Sequence, residues 1–598
     1  MSRLFRTSVA ALAAVMLFTV SAARAGVLDQ VPGEALFVVK VTNLKSTSEK
    51  FARFATDLGV AAMVPPLQDP LGALQQQIGI ANGLNEAGDL AFAFIDPAAV
   101  GEAGPDESIL VLIPVSDYDA FVNNFADAKT EGEITEFTTP NSGAPSYVMK
   151  WGDYAALTPA KGVLAIRPTG LKVSGVAAKE TQKDLVFYAN MPNIRAKLQP
   201  ELAKGRENIL SEMEGELQNE PELAKFAPVL KALVGRLLDV ADTFLRDANA
   251  ATIAINFVPE GLNASVVAEF EPGSYLGKFV GGTKNTTESF TKHLPAGKYM
   301  LFGGSTGDPD QTVALLNDLA GPVLAELKNA GGEQAAEIDK MYGHLLAYVK
   351  AAKSQTFGLT APQGEFGSSA LIQGFSVYQG DAAAMKKAYL DMTAGQETLM
   401  TAFGLPADQF KYTLTPNAKT VSGVTFDRVV SSMKFDPNDP SAAQAEQMMK
   451  FIYGPEGMQF DIGVLDNDTL VQGFGLNDQQ LGEVIAAAKS GADPMGGLAG
   501  VKAVNAQLPS SRVAAIYVPV DEVVNTGLNV AKQFGFGVNV QMQPDLPPIG
   551  ASVASDGTAL RIDAHAPTQL ISQLIAAGFQ IGMQMNQGGG QNRGPGGL

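Results

Sequence analysis

The chain contains no cysteine. That rules out disulfide staples, thiolate nucleophiles and thiolate metal sites, so packed cores must hold the fold. Histidine is nearly as scarce. His293, His344 and His565 are the full complement, and their wide spacing fits no ligand motif. Basic residues are outnumbered, 43 Lys and Arg against 62 Asp and Glu, for a formal charge of −19. Such a balance opposes phosphate neutralisation, which sets nucleic acid aside as a partner, and it opposes anionic lipid surfaces. Beyond the first 25 residues, no apolar run reaches the roughly 18 residues that a spanning helix needs. Phosphate loops and dinucleotide fingerprints are missing too. Gly273 to Lys278 holds glycine and lysine at the wrong spacing, so no cofactor is expected.

What is present begins with an export signal. Arg3 and Arg6 precede the apolar run Val9 to Val20, and Ala23-Arg24-Ala25 supplies small residues for a signal peptidase. Cleavage after Ala25 leaves a mature chain starting at Gly26. With no cysteine to lipidate and no later span, a bacterial periplasmic or secreted destination is expected, without a transmembrane anchor after cleavage.

The 598 residues are enough for several cores at roughly 150 residues per domain. One pattern recurs four times: a short apolar strand, helical material, then a hairpin. The first copy starts at Val31-Pro32-Gly33-Glu34, with an expected strand Ala35 to Val41 and a helix from about Leu44 to Leu58. The second starts at Leu185 and carries two long amphipathic helices. In the latter, Leu230, Leu233, Leu237, Ala241 and Phe244 form a stripe. The third starts at Leu294-Pro295-Ala296-Gly297 and the fourth at Leu508-Pro509-Ser510-Ser511. Asp556-Gly557 between apolar strands in the fourth copy signals a hairpin. Copies one and three share an insertion of helix and strands, which includes expected strands Tyr154 to Leu157 and Val163 to Ile166. The expected organisation is therefore two homologous halves, 26–290 (modules near 28–182 and 183–290) and 291–585 (modules near 291–505 and 506–585). A disordered Gly/Gln/Asn-rich tail, 586–598, follows. The fold class is α+β, internally duplicated, with mainly antiparallel sheets and helices packed on one face.

The Leu-Pro-Ala start followed by a strand, Leu294 to Leu301, resembles a group of uncharacterised exported bacterial proteins with repeated β–α–β modules. The run Glu260-Gly261-Leu262-Asn263 to Glu271-Pro272-Gly273-Ser274 is similar as well. This resemblance implies export and duplication, and it brings no catalytic residue with it.

Candidate chemistry is sparse. Gly303-Gly304-Ser305-Thr306-Gly307 fits a nucleophile elbow between a strand and a helix, with Ser305 as nucleophile and Asp563, His565 or His344 downstream. The competing reading is a turn that supplies a helix cap from Thr306 or Asp308. Asp466-Asn467-Asp468 begins like a calcium loop, which makes Asp466 and Asp468 candidate metal ligands. Leu470 stands where a side-chain oxygen is needed, Gly is missing at position 6, and position 12 is Asn477 rather than Glu, so a hairpin turn is favoured. Asp308-Pro309-Asp310 and Asp436 to Asp439 read as turns or caps. The amphipathic helices of copy two, with Met213 and Phe226, offer a lipid-sized groove, although packing into a core is the favoured reading. The expectation is an exported, non-enzymatic binding or scaffold protein whose partners are envelope proteins or a hydrophobic ligand. The alternatives are a periplasmic carrier of a lipid-like ligand and a serine hydrolase using Ser305.

Overall fold

The computed structural model describes residues 26–588 apart from 102–103, 105–106, 139–142, 167, 219–226, 332–334, 361–369, 398–399, 401–409, 435–441 and 534–539. The signal segment with Ala23 and Ala25, Phe226, Asp436 to Asp439 and the tail from 589 therefore lie outside the described residues. The protein is α+β, and its described strand pairs are antiparallel. It forms two compact units. The smaller holds the described residues through Glu49 together with Asp69–Asn193. The larger holds Lys50–Gln68 and the described residues from Ile194.

Among its described residues the smaller unit has eight strands: β1 (Ala35–Val41), β2 (Leu90–Ile95), β3 (Ile109–Pro114), β4 (Lys129–Glu131), β5 (Ile134–Thr138), β6 (Pro145–Trp151), β7 (Tyr154–Thr158) and β8 (Leu185–Asn190). They pair in the order β8-β1-β2-β3-β7-β6-β5-β4. Side chains alternate along a strand, so Leu36, Val38 and Lys40 share one face while Phe37, Val39 and Val41 share the other. The first face is sealed. Val38, Ile95, Leu110, Leu112 and Val186 are buried there, and the single-turn helices Val27–Gln30 and Lys161–Ala165 lie against the sheet. The second of these turns replaces the expected strand Val163 to Ile166. Val163 and Leu164 are both buried, but the backbone bonds locally, Val163 N to Ala160 O at 3.0 Å and Ile166 N to Val163 O at 3.2 Å, in place of a strand ladder.

The larger unit adds β9 (Ala248–Val258), β10 (Gly261–Phe270), β11 (Tyr299–Thr306), β12 (Ala352–Thr360), β13 (Gln373–Gly380), β14 (Phe410–Val421), β15 (Val424–Met433), β16 (Met458–Val464), β17 (Thr469–Phe474), β18 (Ala514–Val518), β19 (Ile549–Asp556) and β20 (Ala559–Pro567). Their order is β9-β10-β20-β19-β18-β11-β12-β13-β17-β16-β15-β14. The expected Asp556-Gly557 turn is present, with Gly557 at φ 63°. The main core gathers Phe302, Phe375, Phe426 and Tyr517 from the strands with Leu481, Val484 and Val504 from helices Asp478–Ser490 and Ala499–Gln507. A further cluster, with Met385, Ile462 and Leu470, lies under helix Ala382–Ala394. Alternation places this cluster on the reverse face, so helices cover both faces here.

The compact units divide near Asn193, whereas the sequence pattern suggests halves that meet near residue 290. The cause is a strand pairing. The hairpin of the second copy is joined to that of the fourth from Gly261↔Pro567 to Glu269↔Ala559. Helix stripes also behave differently from the expectation of a core. Leu233, Leu237 and Val240 of helix Ala227–Asp247 are exposed.

One buried ion pair fixes how the first helix leaves the small sheet. Lys40 Nζ lies 2.8 Å from Asp89 Oδ2 and donates to Thr181 O at 2.8 Å. The other Asp89 oxygen accepts from Asn43 N at 2.9 Å. Asn43, in the left-handed region at φ 44°, caps helix Leu44–Asp57 through Ser46 N at 3.0 Å. Asp89→Ala strands a buried ammonium, and unfolding in urea should show a loss of about 2–4 kcal/mol. Glu201→Ala, which breaks the exposed Lys204–Glu201 pair, should stay within about 0.5 kcal/mol.

Candidate functional site

A cavity of about 360 Å³ lies on the second face of the small sheet, entirely within the smaller unit. Its floor is the strand face itself: Leu90 and Phe92 from β2, Val111 and Ile113 from β3, Leu157 from β7. Phe125 and Phe137 close one end, stacked with ring centroids 3.9 Å apart. Leu44, placed by the Asp89–Asn43 contact, contributes from the first helix.

The roof is helix Pro70–Ile78, which presents Leu71, Leu74 and Ile78 at helical spacing, with Gln75 beside them. The helix is well delimited. Asp69 caps it by accepting from Gly72 N at 3.0 Å, Pro70 opens it, and Gly79 ends it in the left-handed region at φ 76°. Leu71 N donates to Ser48 Oγ at 3.0 Å, and Gln75 Nε2 donates to Glu86 Oε1 at 3.3 Å. Even so, none of its residues is buried. The helix is propped over the sheet rather than seated on it, and the gap is the cavity. Among the described residues, Gln75 is its single polar lining residue. The described lining has no charged side chain, and the chemistry it offers is burial of apolar surface.

The matching place in the larger unit is filled. The run β18-β11-β12-β13-β17-β16-β15-β14 repeats the connections of β8-β1-β2-β3-β7-β6-β5-β4. There the helix before β12, Ala335–Ala351, seats Tyr348 against Tyr378 with ring centroids 5.6 Å apart.

Most residues singled out in the sequence are scattered, although Ser305 and His293 both line one pocket of about 190 Å³. Ser305 lies inside β11, which runs on to Thr306, so the strand-to-helix turn comes later, where Asp308 accepts from the N–H groups of Asp310 and Gln311. The ladder sets Ser305 opposite Ala514, Ala514 opposite Val553, and Val553 opposite Ile562. Asp563 and His565 are odd-step neighbours of Ile562, so they face the other side of the sheet, three strands or roughly 14 Å away. Asp563 is held by Arg561 at 2.6 and 2.7 Å. His565 Nδ1 is 2.6 Å from Asn263 Oδ1. His344 Nδ1 is 3.7 Å from Asp391 Oδ2, on separate helices. Asp466 and Asp468 form a hairpin turn in which Asp468 N donates to Asp466 Oδ1 at 2.9 Å. Among the described residues, no group of three His, Asp or Glu is placed to hold a metal ion. Gly26, the expected mature start, donates its N–H to Asp29 Oδ2 at 2.7 Å.

The lipid-groove reading of copy two has a counterpart. A trough of about 710 Å³ runs between helices Met191–Gln218 and Ala227–Asp247, lined by Leu198, Ile209, Leu237 and Phe244 among others, but not by Met213. The cavity under Pro70–Ile78 was missed from sequence. Asp69-Pro70 before the periodic Leu71, Leu74 and Ile78, and Gly79 after them, are the start and stop signals that reveal its roof.

No family model and no curated protein matches the chain. Among solved structures, crystal form III of TP0453 is similar over 49% of this chain and 98% of its own, at 10% identity and a TM-score of 0.18. A likeness that low carries no argument about fold or function.

Burial pushes the pKa of His565 down, against the raising influence of Glu260. His293 is likewise lowered, by burial first and Lys292 second. The unfolded chain then takes up protons near pH 6.5 that the folded chain refuses, so these histidines support the fold fully above that pH and withdraw support as pH falls. The urea midpoint should drop between pH 7 and pH 5, and His565→Gln should lessen the drop. Identical pH dependence in wild type and variant would refute this account.

Proposed function

We propose that the chain is an exported, non-enzymatic protein of the bacterial envelope that binds a lipid-like apolar ligand in its smaller unit. The observation that carries the reading is the cavity of about 360 Å³ whose lining is apolar except for Gln75. Export rests on the n-region, apolar run and Ala23-Arg24-Ala25 site of the sequence. It is consistent with the finding that no helix among the described residues is long and apolar enough to cross a membrane. Duplication is part of the proposal and is supported by the matched strand order of the two runs. The serine-hydrolase reading draws less support, because Ser305 stands apart from Asp563 and His565 on the ladder.

The cavity belongs to a carrier or sensor rather than to a scaffold. A scaffold gains nothing from an unfilled core, since each lining side chain forfeits packing contacts that a seated helix would return. An apolar ligand recovers those contacts. Native mass spectrometry of protein purified from its own envelope should show a bound apolar molecule. Leu74→Asp, which places a charge at the half-exposed roof, and Val111→Phe, which fills the floor, should each cut occupancy at least about tenfold with little change in melting temperature. Unchanged occupancy in both variants would overturn the reading.

A further inference from the structure

The face that floors the cavity does not end where the roof ends. The register aligns five apolar side chains, one per strand: Phe187 on β8, Val39 on β1, Phe92 on β2, Val111 on β3 and Leu157 on β7. Phe92, Val111 and Leu157 lie in the cavity. Val39 and Phe187 lie beyond it and are 38% exposed each, while Phe92 at the junction is 43% exposed. The flanking rows are equally apolar: Ala189, Phe37, Phe94 and Ile109 on one side, Leu185, Val41 and Leu90 on the other. An antiparallel sheet with one face in water ordinarily carries polar residues there. This face carries none in those rows. The corresponding row in the larger unit reads Ile516, Gly303, Phe357, Ser376 and Gln472, so polar side chains enter where the smaller unit stays apolar.

From this juxtaposition we infer that the ligand is a long unbranched acyl chain that lies across the strands, one part under helix Pro70–Ile78 and the rest along the open track over Val39 to Phe187. The inference rests on the carrier reading and adds the ligand's shape and length. Five strands at the usual separation span roughly 19 Å, which suits an extended chain and exceeds what a compact ring system covers. The occupant is argued from continuity: the track is the same row of side chains that forms the cavity floor, without a polar break. An uncharged tail meets no buried charge along it, because Lys40, the one cation of β1, points to the opposite face, where it pairs with Asp89.

The test separates track from cavity. Octanoate, short enough for the cavity alone, and hexadecanoate, long enough for both, are titrated calorimetrically into the full chain below their self-association concentrations. Wild type should bind hexadecanoate at least about tenfold more tightly, as extra methylenes leave water. In Val39→Asp and Phe187→Asp, hexadecanoate affinity should fall to that of octanoate, with octanoate binding unchanged; Val39→Ile should restore the preference. If both acids weaken equally in the aspartate variants, or neither changes, the track is not used, although the cavity reading survives. If neither acid binds wild type, both the cavity and the track proposals fail.

Discussion

The small sheet is apolar on both faces, and most of the smaller unit follows from that. Strands such as Leu90–Ile95 and Ile109–Pro114 read as near-continuous hydrophobic runs, the pattern of strands that need a layer on each side. One side has its layer: turns Val27–Gln30 and Lys161–Ala165 pack there, and Leu110 and Leu112 are fully buried. The other side is covered in part, by the start of helix Leu44–Asp57, by helix Tyr118–Val122 with its buried Phe121, and by helix Pro70–Ile78. Where the cover is raised there is a cavity, and where it stops there is an open apolar track.

The ion pair at Lys40 belongs to the same constraint. An ammonium on a strand between apolar neighbours is costly unless it is paired and hydrogen-bonded. Asp89 and the Thr181 carbonyl do both, and Asp89 at the same time fixes Asn43 and the start of the helix that carries Leu44 to the cavity. The charge on the sealed face and the geometry on the open face therefore share one carboxylate. In the larger unit, a comparable cluster joins Asp461 to Arg428 and Lys419 at 2.8 and 2.9 Å, where β15 and β16 meet. It ties β14, β15 and β16 together.

Much of the fold was legible because its signals are local. Asp556-Gly557 forces a hairpin, Asp308 caps a helix, and Tyr154 to Leu157 is a short apolar run that follows the turn at Gly152-Asp153. Strand order was not legible, since hairpins fix neighbours while the β10–β20 ladder joins residues some three hundred positions apart. That pairing, invisible to periodicity, also decides where the compact units divide. Val163 and Leu164 were misread because two consecutive apolar residues suit a buried strand and a buried turn equally well. Ser305 looked like a nucleophile because Gly-x-Ser-x-Gly also describes a strand in which Gly303 has room for no Cβ, with Ala515 O only 2.2 Å from where one would sit.

The cavity escaped the sequence for a different reason. Its residues are ordinary core types, and nothing in Leu90, Val111 or Leu157 distinguishes packing against a helix from packing against a ligand. The difference lies in how far the roof stands off. In the larger unit, helix Ala335–Ala351 reaches its sheet with Tyr348, and an aromatic of that size fills the space between layers. Helix Pro70–Ile78 is half as long, offers leucine and isoleucine in place of an aromatic, and is tied at Ser48 and Glu86 rather than by side chains driven into the floor. Equivalent strand frameworks thus carry unequal covers, and the unequal cover separates a closed core from a site. Polar side chains in the larger unit's corresponding row follow the same logic: a face that a helix seals holds Ser376 and Gln472, whereas the proposed apolar ligand would require a face free of groups it cannot satisfy.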